Sequence, residues 1–228
     1  MFSIIIPLYN EVKNLKILVN ELKLVLAKYE EYEIILIDDG STDSTPNIIN
    51  KIKYSKIKLL KNDYNKGQSY SIFRGVKNSL YKTIITLDGD GQNDPSDIPS
   101  LLKFYTEKKE IKLVGGIRFN RKDNLIKIIS SKIANKIRSI ILRDNCKDTG
   151  CSLKVFDKEI FLSFPYFDGI HRFLPALFSG YGHKTLFINV NHRKRNYGVS
   201  KYGTLDRLFR GIRDIIKVRK IIKLNNLR

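Results

Sequence analysis

Two aspartates separated by one glycine follow an apolar stretch, and their spacing could support metal chemistry. Asp88-Gly89-Asp90 comes directly after the apolar run 83–87. Carboxylates this close repel each other unless a cation joins them, and such oxygen ligands suit Mg²⁺ or Mn²⁺. An acidic surface turn is the alternative, because Asp-Gly pairs are good turn formers. The position after a strand, with Gln92 and Asp94 adjacent, favours the metal site.

Two further polar clusters, at 7–11 and 38–43, each follow an apolar run. Asp39 could bind the base or ribose of a nucleotide, whereas Ser41 could cap the next helix, and both can hold at once. Ligands of open α/β sheets bind outside the carboxyl ends of the strands, so we expect these clusters to converge with the aspartate pair. The chain has neither GxGxxG nor GxxxxGK[ST], so it supports neither a dinucleotide-binding nor a Walker A site.

Strands and helices alternate along the chain, and they would position these clusters. The apolar runs predict a mostly parallel, doubly wound α/β sheet, with Asn10 capping the first helix. Two longer amphipathic basic helices are predicted at 125–143 and 204–220. Each could pack its apolar stripe against the sheet or lay it on a membrane surface; we favour packing for the first and the membrane for the second. Strands are expected at 2–7, 32–37, 56–60, 83–87, 111–115 and 181–191, with a further short strand after a turn within 146–156.

The charge of the chain is strongly asymmetric. Lys and Arg number 42 against 23 Asp and Glu, a net charge of +19. Residues 1–116 carry 17 basic and 15 acidic side chains, whereas residues 117–228 carry 25 and 8. An AT-rich genome would enrich lysine in both halves, yet the acids drop out of only the second. The second half is therefore expected to face an anionic partner: nucleic acid, an acidic membrane leaflet or a phosphorylated substrate.

The cysteines, the hydrophobicity pattern and the histidines bear on the cellular compartment and on other types of catalytic site. Two cysteines, Cys146 and Cys151, exclude a disulfide scaffold and suit a reducing compartment. No basic n-region opens the chain, and no uncharged apolar run reaches the ~18–20 residues of a membrane-spanning helix, so we expect a soluble or peripheral protein. His171 and His192 are each as consistent with a structural role as with a catalytic one, and no Ser-His-Asp arrangement is evident.

Several ordered motifs resemble glycosyltransferase family 2, the enzymes of GT-A fold. They are the segments 3–11, 37–43, 65–67 with Arg74-Gly75, and 87–95. The segments 148–156, 171–175 and 192–202 are similar to the polyprenyl-phosphate glycosyltransferases of the dolichol-phosphate mannose synthase type. Many bacterial relatives add C-terminal membrane-spanning helices, so the chain resembles a short form without them.

This resemblance implies transfer of a hexosyl group, with inversion, from a nucleotide-diphosphate sugar such as GDP-mannose or a UDP-sugar to dolichyl or undecaprenyl phosphate. It implies Mg²⁺ or Mn²⁺ held by Asp88, Asp90 and Gln92. It assigns donor binding to Pro7, Tyr9, Glu11, Asp39, Lys66, Gly67, Asp88, Gly89 and Asp90. It assigns acceptor and phosphate binding to Arg118, Lys127, Ser131, Arg195, Ser200 and Lys201. Catalytic roles fall to Asp88, Asp90, Arg118 and Asp148, with Asp148 an orienting group at most.

The predicted organisation is a GT-A domain over 1–203 followed by a basic amphipathic helix at 204–228. Residues 1–116 would bind the nucleotide sugar and residues 117–203 the acceptor. Attachment to the cytoplasmic face of the membrane would come from the basic amphipathic segments or from a partner protein, and a homo-oligomer is a further possible assembly.

Two alternatives remain for the function. The first is a family 2 enzyme acting on a growing cell-surface glycan, such as lipopolysaccharide or capsule. The second is a basic nucleic-acid-binding protein, suggested only by the charge. It lacks an RRM, KH or helix-turn-helix signature, so we expect no nucleic-acid partner.

Overall fold

The computed structural model describes residues 1–119, 135–194 and 204–227, and within 204–210 it describes the backbone. Every strand predicted from the sequence is present. The strands are β1 Phe2–Leu8, β2 Tyr32–Asp38, β3 Ile57–Lys61, β4 Thr83–Thr86, β5 Ile111–Arg118, β6 Lys154–Asp157 and β7 Lys184–Val190. The helices are α1 Val12–Leu26, α2 Thr45–Asn50, α3 Gln68–Lys77, α4 Ile98–Glu107, α5 over 135–142, α6 Lys158–Ser163, α7 Leu174–Gly180 and α8 Thr204–Asn225.

The seven strands form one sheet in the order β3-β2-β1-β4-β6-β5-β7. Neighbouring strands are parallel except where β6 runs antiparallel between β4 and β5. The mostly parallel α/β architecture is therefore confirmed. Because β6 is reversed, its first residue, Lys154, lies beside Thr86 at the carboxyl end of β4. The carboxyl ends of β1, β2, β4 and β5 and the amino end of β6 consequently share one edge.

The central strands are buried on both faces, which explains their unbroken apolar runs. Ile4, Ile5 and Ile6 of β1 are fully buried, as are Ile34 to Ile37 of β2. One cluster lies under α1 and α4, and a second packs against α3, α6, α7 and α8. The core therefore covers the sheet on both sides.

Two capping predictions are wrong. Asn10 has φ 58° and does not cap α1; its side-chain oxygen accepts hydrogen bonds from the backbone N–H groups of Thr42, at 2.9 Å, and Asp43. Ser41 does not cap α2; its Oγ accepts a bond from the backbone N–H of Asn10 at 3.0 Å. Both side chains instead fasten the loop after β1 to the loop after β2. A cap is a local pattern, and here a long-range partner competes for the same side chain.

Helices α4, α6 and α7 have no counterpart in the sequence-based assignment. Proline stands near the start of α4 and of α7, where its fixed φ suits the first helical turn. At α6 the Asp157 carboxylate accepts bonds from the backbone N–H groups of Glu159 and Ile160. These start signals were available in the sequence, although each helix has ten residues or fewer and so little periodicity.

Helix α5 has the opposite orientation to the expected one over its described part. The helical pattern over 125–143 predicts its basic residues, Arg138 among them, on the solvent face, yet Arg138 is buried and forms an ion pair with Asp144. The apolar stripe expected to pack against the sheet includes Ile137, Ile140 and Ile141, yet they are 51%, 68% and 39% exposed. The preference for core packing is therefore wrong for these three isoleucines. The buried ion pair turns the helix so that its isoleucines face outward.

Candidate functional site

The aspartate pair lies where the sequence places it, in the turn that follows β4. Asp88 is partly buried and accepts a hydrogen bond from Gln68 Nε2 at 2.7 Å. Asp90 is buried and accepts a bond from the backbone N–H of Gln92 at 3.0 Å. A Cβ on Gly89 would lie 2.4 Å from Leu8 Cδ2 and 3.2 Å from the Pro7 carbonyl oxygen, so the missing side chain lets this turn pack closely against the end of β1.

The electrostatics of the pair suit a divalent cation. Burial, followed by the charge of Asp90, raises the pKa of Asp88 to about 6. The charge of Asp90 thus destabilises the ionised form of Asp88, and a cation between the two carboxylates would relieve that cost. In the part of the chain that the structure describes, no three His, Cys, Asp or Glu side chains form a metal-binding group. Two carboxylates are a donor set that Mg²⁺ commonly uses, with its remaining oxygen ligands coming from a bound phosphate and water.

Asp39 organises the loop between β3 and α3. Its Oδ1 accepts bonds from Asn62 Nδ2 at 2.6 Å and the Lys66 N–H at 2.9 Å, and its Oδ2 accepts one from the Gly67 N–H at 2.9 Å. The predicted donor-site residues Asp39, Lys66 and Gly67 are therefore brought together. Gly40, at φ +69°, permits this packing, because a Cβ there would lie 2.5 Å from the Tyr64 carbonyl carbon.

The other predicted donor residues lie around the end of β1. Pro7 pairs with Ile37 within the sheet, and Tyr9 is partly buried just beyond the strand. Glu11 accepts a hydrogen bond from Asn14 Nδ2 at 2.7 Å, and its backbone N–H donates to Thr45 Oγ1. The edge of the sheet therefore carries these residues beside Asp39.

Arg118 and Asp148 form a buried pair at the end of β5. Arg118 Nε and NH2 donate to the two oxygens of Asp148 at 2.7 Å each, and the Arg118 backbone N–H adds a third bond at 3.1 Å. The side chains are 16% and 7% exposed. This two-pronged geometry fixes the guanidinium plane. Both carboxylate oxygens of Asp148 are engaged, in keeping with an orienting group.

A cavity of about 740 Å³ opens beside Asp88, a volume typical of ligand sites. Lys154 lies buried at its inner wall and donates to the carbonyl oxygens of Thr149 and Cys151. Burial lowers the pKa of Lys154. Helix α8 forms part of the outer wall, where Asp214 pairs with Arg172 at 2.8 Å. The wall also includes Asn65, Lys66, Gly67, Gln68, Gly150, Ser152, Asp168, Gly169, His171, Arg213 and Lys217.

Sequence reasoning missed several of these residues. Gln68 and Ser69 lie outside the motifs, and Lys154 and Arg172 lie within the segments 148–156 and 171–175 without being assigned a role, because the roles of all four depend on contacts between distant parts of the chain. The signal for Lys154 was a lysine inside an otherwise apolar strand, at 153–156. A cation within such a strand must be buried or at the strand end.

Five of the predicted acceptor residues, Lys127, Ser131, Arg195, Ser200 and Lys201, lie outside the described residues. Arg118 is the one acceptor candidate that the structure describes. Arg193, which the sequence places in a basic segment facing an anionic partner, instead pairs with Glu21 and Asp94, each at 2.8 Å. Cys146 and Cys151 are both free and buried.

The outer face of α8 combines cations with apolar side chains. Val218 is fully buried and Ile215 and Ile222 pack against the core, whereas Ile212 and Ile216 are 51% and 54% exposed. The helix therefore both packs on the protein and presents an amphipathic surface. Exposed cations on this helix are Arg213, Lys217, Arg219, Lys220 and Lys223. Among the residues described, no helix is long and apolar enough to cross a membrane.

Comparison with known proteins identifies the family. The model described as Glycosyl transferase family 2 matches residues 3–163, and the chain belongs to this family. The chain is 36% identical over 225 residues to a dodecaprenyl-phosphate galacturonate synthase of Rhizobium johnstonii. It is 35% identical over 206 residues to an undecaprenyl-phosphate 4-deoxy-4-formamido-L-arabinose transferase of Photorhabdus laumondii. These alignments cover 95% and 88% of this chain but only 65% and 62% of the relatives.

Solved structures support the fold. Glucosyl-3-phosphoglycerate synthase from Mycobacterium tuberculosis, in complex with Mn²⁺, UDP and glucosyl-3-phosphoglycerate, superposes with a TM-score of 0.70 at 15% identity. The alignment covers 96% of this chain and 78% of that one. The same enzyme with Mg²⁺ and UDP gives a TM-score of 0.71. This likeness confirms the predicted GT-A type of fold.

Proposed function

We propose that this member of glycosyl transferase family 2 transfers a sugar from a nucleotide-diphosphate sugar to a polyprenyl phosphate at a membrane surface. The observation that carries the proposal is the cavity that Asp88 and Lys154 line together. Its wall also includes Lys66 and Gly67, whose backbone N–H groups bind Asp39, and Gly150, which lies against Arg118. Two curated relatives over 30% identical are named for transfer to, or synthesis of, polyprenyl-phosphate sugars. That naming favours a lipid phosphate over a glycan as acceptor.

The order of the strands supports a linear arrangement of the donor. The Asp39 cluster ends β2, the aspartate pair ends β4, and Lys154 begins β6, which lies next to β4. A nucleoside at the first, a diphosphate at the second and a sugar at the third would match this spacing. A divalent cation held by Asp88 and Asp90, with Gln92 adjacent, would neutralise charge on the diphosphate.

The reaction exchanges one bond for another at the anomeric carbon. An oxygen of the acceptor phosphate forms a bond to the anomeric carbon while the bond between that carbon and the diphosphate oxygen breaks. The nucleoside diphosphate leaves with the electron pair of the broken bond. Attack from the face opposite the leaving group inverts the configuration. A phosphate is already anionic, so the chain needs no strong general base.

The cationic groups of the site would stabilise the separating charges. Arg118, fixed by Asp148, and the buried Lys154 supply positive charge without reorganising during the reaction. Asp148 serves Arg118 as a positioning partner, since both of its oxygens already accept hydrogen bonds from Arg118. Further phosphate contacts are assigned to Arg195, Ser200 and Lys201.

Attachment to an anionic membrane would bring the acceptor to the cavity. The outer face of α8 and the exposed isoleucines of α5 combine apolar and cationic groups, as in helices that lie at a membrane surface. Charge reversal at Lys220 and Lys223 should then reduce flotation with phosphatidylglycerol vesicles. Glu30→Lys and Glu31→Lys serve as controls, because they change the charge in the nearly neutral first half of the chain rather than on α8.

The proposal is tested by a donor and acceptor screen. UDP-glucose, UDP-galacturonic acid and GDP-mannose are each supplied with Mg²⁺ and a short-chain polyprenyl phosphate, and released nucleotide is measured. Nucleotide release that requires the lipid phosphate, and that Asp88→Asn or Asp90→Asn abolishes, is the expected result. Turnover with a glycan but with no lipid phosphate would refute the proposed acceptor. DNA retention that competes with vesicle binding would instead favour a nucleic-acid partner.

A further inference from the structure

We propose that His171 donates a hydrogen bond from Nε2 to an oxygen of the transferred sugar, and that Ser69 fixes the imidazole tautomer that makes this donation. The inference rests on the proposed function and specifies a residue that contacts the donor's sugar. It adds a specificity contact that neither the motifs nor the aspartate pair supplies.

The hydrogen bonds around Ser69 determine the tautomer. Ser69 is fully buried, and its Oγ accepts a bond from the Gly169 backbone N–H at 2.7 Å. The same oxygen lies 2.7 Å from His171 Nδ1. If Nδ1 carried the proton, the buried Ser69 hydroxyl would accept two bonds and its own proton would have no partner among the described residues, whereas an accepting Nδ1 gives that proton a partner, and we assign this second arrangement. Nδ1 therefore accepts, and the neutral ring carries its proton on Nε2.

The protonation state agrees with this assignment. Burial, followed by the positive charges of Arg172 and Lys154, lowers the pKa of His171 to about 3. A neutral imidazole has one donor and one acceptor nitrogen, and Ser69 occupies the acceptor. Nε2–H is the polar group of the ring that remains for a ligand.

The position of His171 indicates what that ligand is. His171 lines the cavity beside Asp88, and it is joined through Ser69 to helix α3. The residue before Ser69, Gln68, donates to Asp88. His171 thus shares the cavity wall with Asp88 and Lys154, and it lies close enough to Lys154 for that charge to act on its ring, which puts it by the position proposed for the sugar. A sugar attached to that diphosphate would place its hydroxyl oxygens, which are hydrogen-bond acceptors, toward this wall.

Two substitutions separate the proposed contact from a merely structural role. In His171→Gln the side-chain amide nitrogen reaches the place of Nε2, whereas in His171→Asn the amide lies at the place of Nδ1. If His171 donates to the sugar, His171→Gln should keep the affinity for the nucleotide sugar and His171→Asn should lose it. A purely structural bond to Ser69 predicts the reverse order, since the Asn amide can replace Nδ1.

The binding measurement compares each nucleotide sugar with its own nucleoside diphosphate. UDP-glucose and UDP-galacturonic acid are paired with UDP, and GDP-mannose with GDP, by calorimetry at pH 7 with Mg²⁺. We expect His171→Asn to weaken binding of the sugar-bearing ligand about 3- to 10-fold, the loss of one neutral hydrogen bond, and to leave the diphosphate unchanged. Equal weakening of both ligands, no weakening of either, or retention in His171→Asn with loss in His171→Gln would overturn the inference.

The tautomer is measured without any turnover. The chain has three histidines, so ¹⁵N-labelled imidazole spectra can be assigned by single substitutions. The expected spectrum has a protonated Nε2 and an unprotonated Nδ1 for His171, with the pattern disturbed in Ser69→Ala. A proton on Nδ1 would overturn the inference even if transfer occurs. Failure of the wild type to bind any nucleotide would instead contradict the proposed function, on which the sugar contact depends.

Discussion

Removing Asp148 would leave a guanidinium buried without its partner, and the structure indicates how large the effect should be. Arg118 is 16% exposed, and Asp148 accepts two side-chain hydrogen bonds and one backbone bond from it. Breaking a buried ion pair by deleting one member costs about 3–5 kcal/mol, because the remaining charge has lost its solvation as well as its partner. We expect Asp148→Ala to lower the free energy of unfolding by that amount.

Urea denaturation followed by circular dichroism measures this loss, and a double substitution tests its cause. In Arg118→Met with Asp148→Leu no buried charge remains, so most of the lost stability should return. Glu159→Ala is the matched control, because its ion pair with Lys82 lies in solvent and should contribute nothing measurable. A loss below about 1 kcal/mol in Asp148→Ala, or a double variant whose loss is the sum of the single ones, would refute the reasoning.

Three further predictions concern the loop after β2, the aspartate pair and the packing of α8. Gly40→Ala should weaken nucleotide binding, because a Cβ at this position would displace the loop at Tyr64. Gly211→Ala should leave binding unchanged, because no atom of the described residues lies within 4 Å of a Cβ at that position. Equal nucleotide affinities of the two variants would contradict the prediction. Because the pKa of Asp88 is raised to about 6 in the folded state, the metal-free protein should lose stability as the pH rises from about 4 to 6. The urea midpoint of Asp88→Asn should fall less steeply over this pH range than that of the wild type. Equal slopes for the two proteins would contradict the prediction. Gly180→Val should detach α8, since a Cβ there lies 2.6 Å from Ile222; unchanged protease resistance of α8 would count against that contact.

The sheet and its polar edge could be predicted because the signals are local. Ile4 to Ile6 and Ile34 to Ile37 are apolar without interruption, which is typical of strands buried on both faces. Topology then brings Asp39 and the aspartate pair to the same edge. Both arguments need only the order of residues along the chain.

The features that could not be predicted depend on distant partners. Arg138 has the position of a solvent-facing cation in the helical pattern, and Asp144 draws it inward. Asn10 has the side chain of a cap, and the loop at Thr42 uses it instead. The sequence pattern also does not indicate that β6 inserts antiparallel between β4 and β5, although this insertion places Lys154 beside the aspartates.

The central claim is that the site joins a sugar to a lipid phosphate. Its most direct test is the mass of the product formed from a nucleotide sugar, Mg²⁺ and undecaprenyl phosphate, with Asp88→Asn as the inactive control. The account predicts one sugar linked to the lipid through a single phosphate, and none with the variant. A product in which the sugar is linked to water or to a glycan, with the lipid phosphate unchanged, would contradict it.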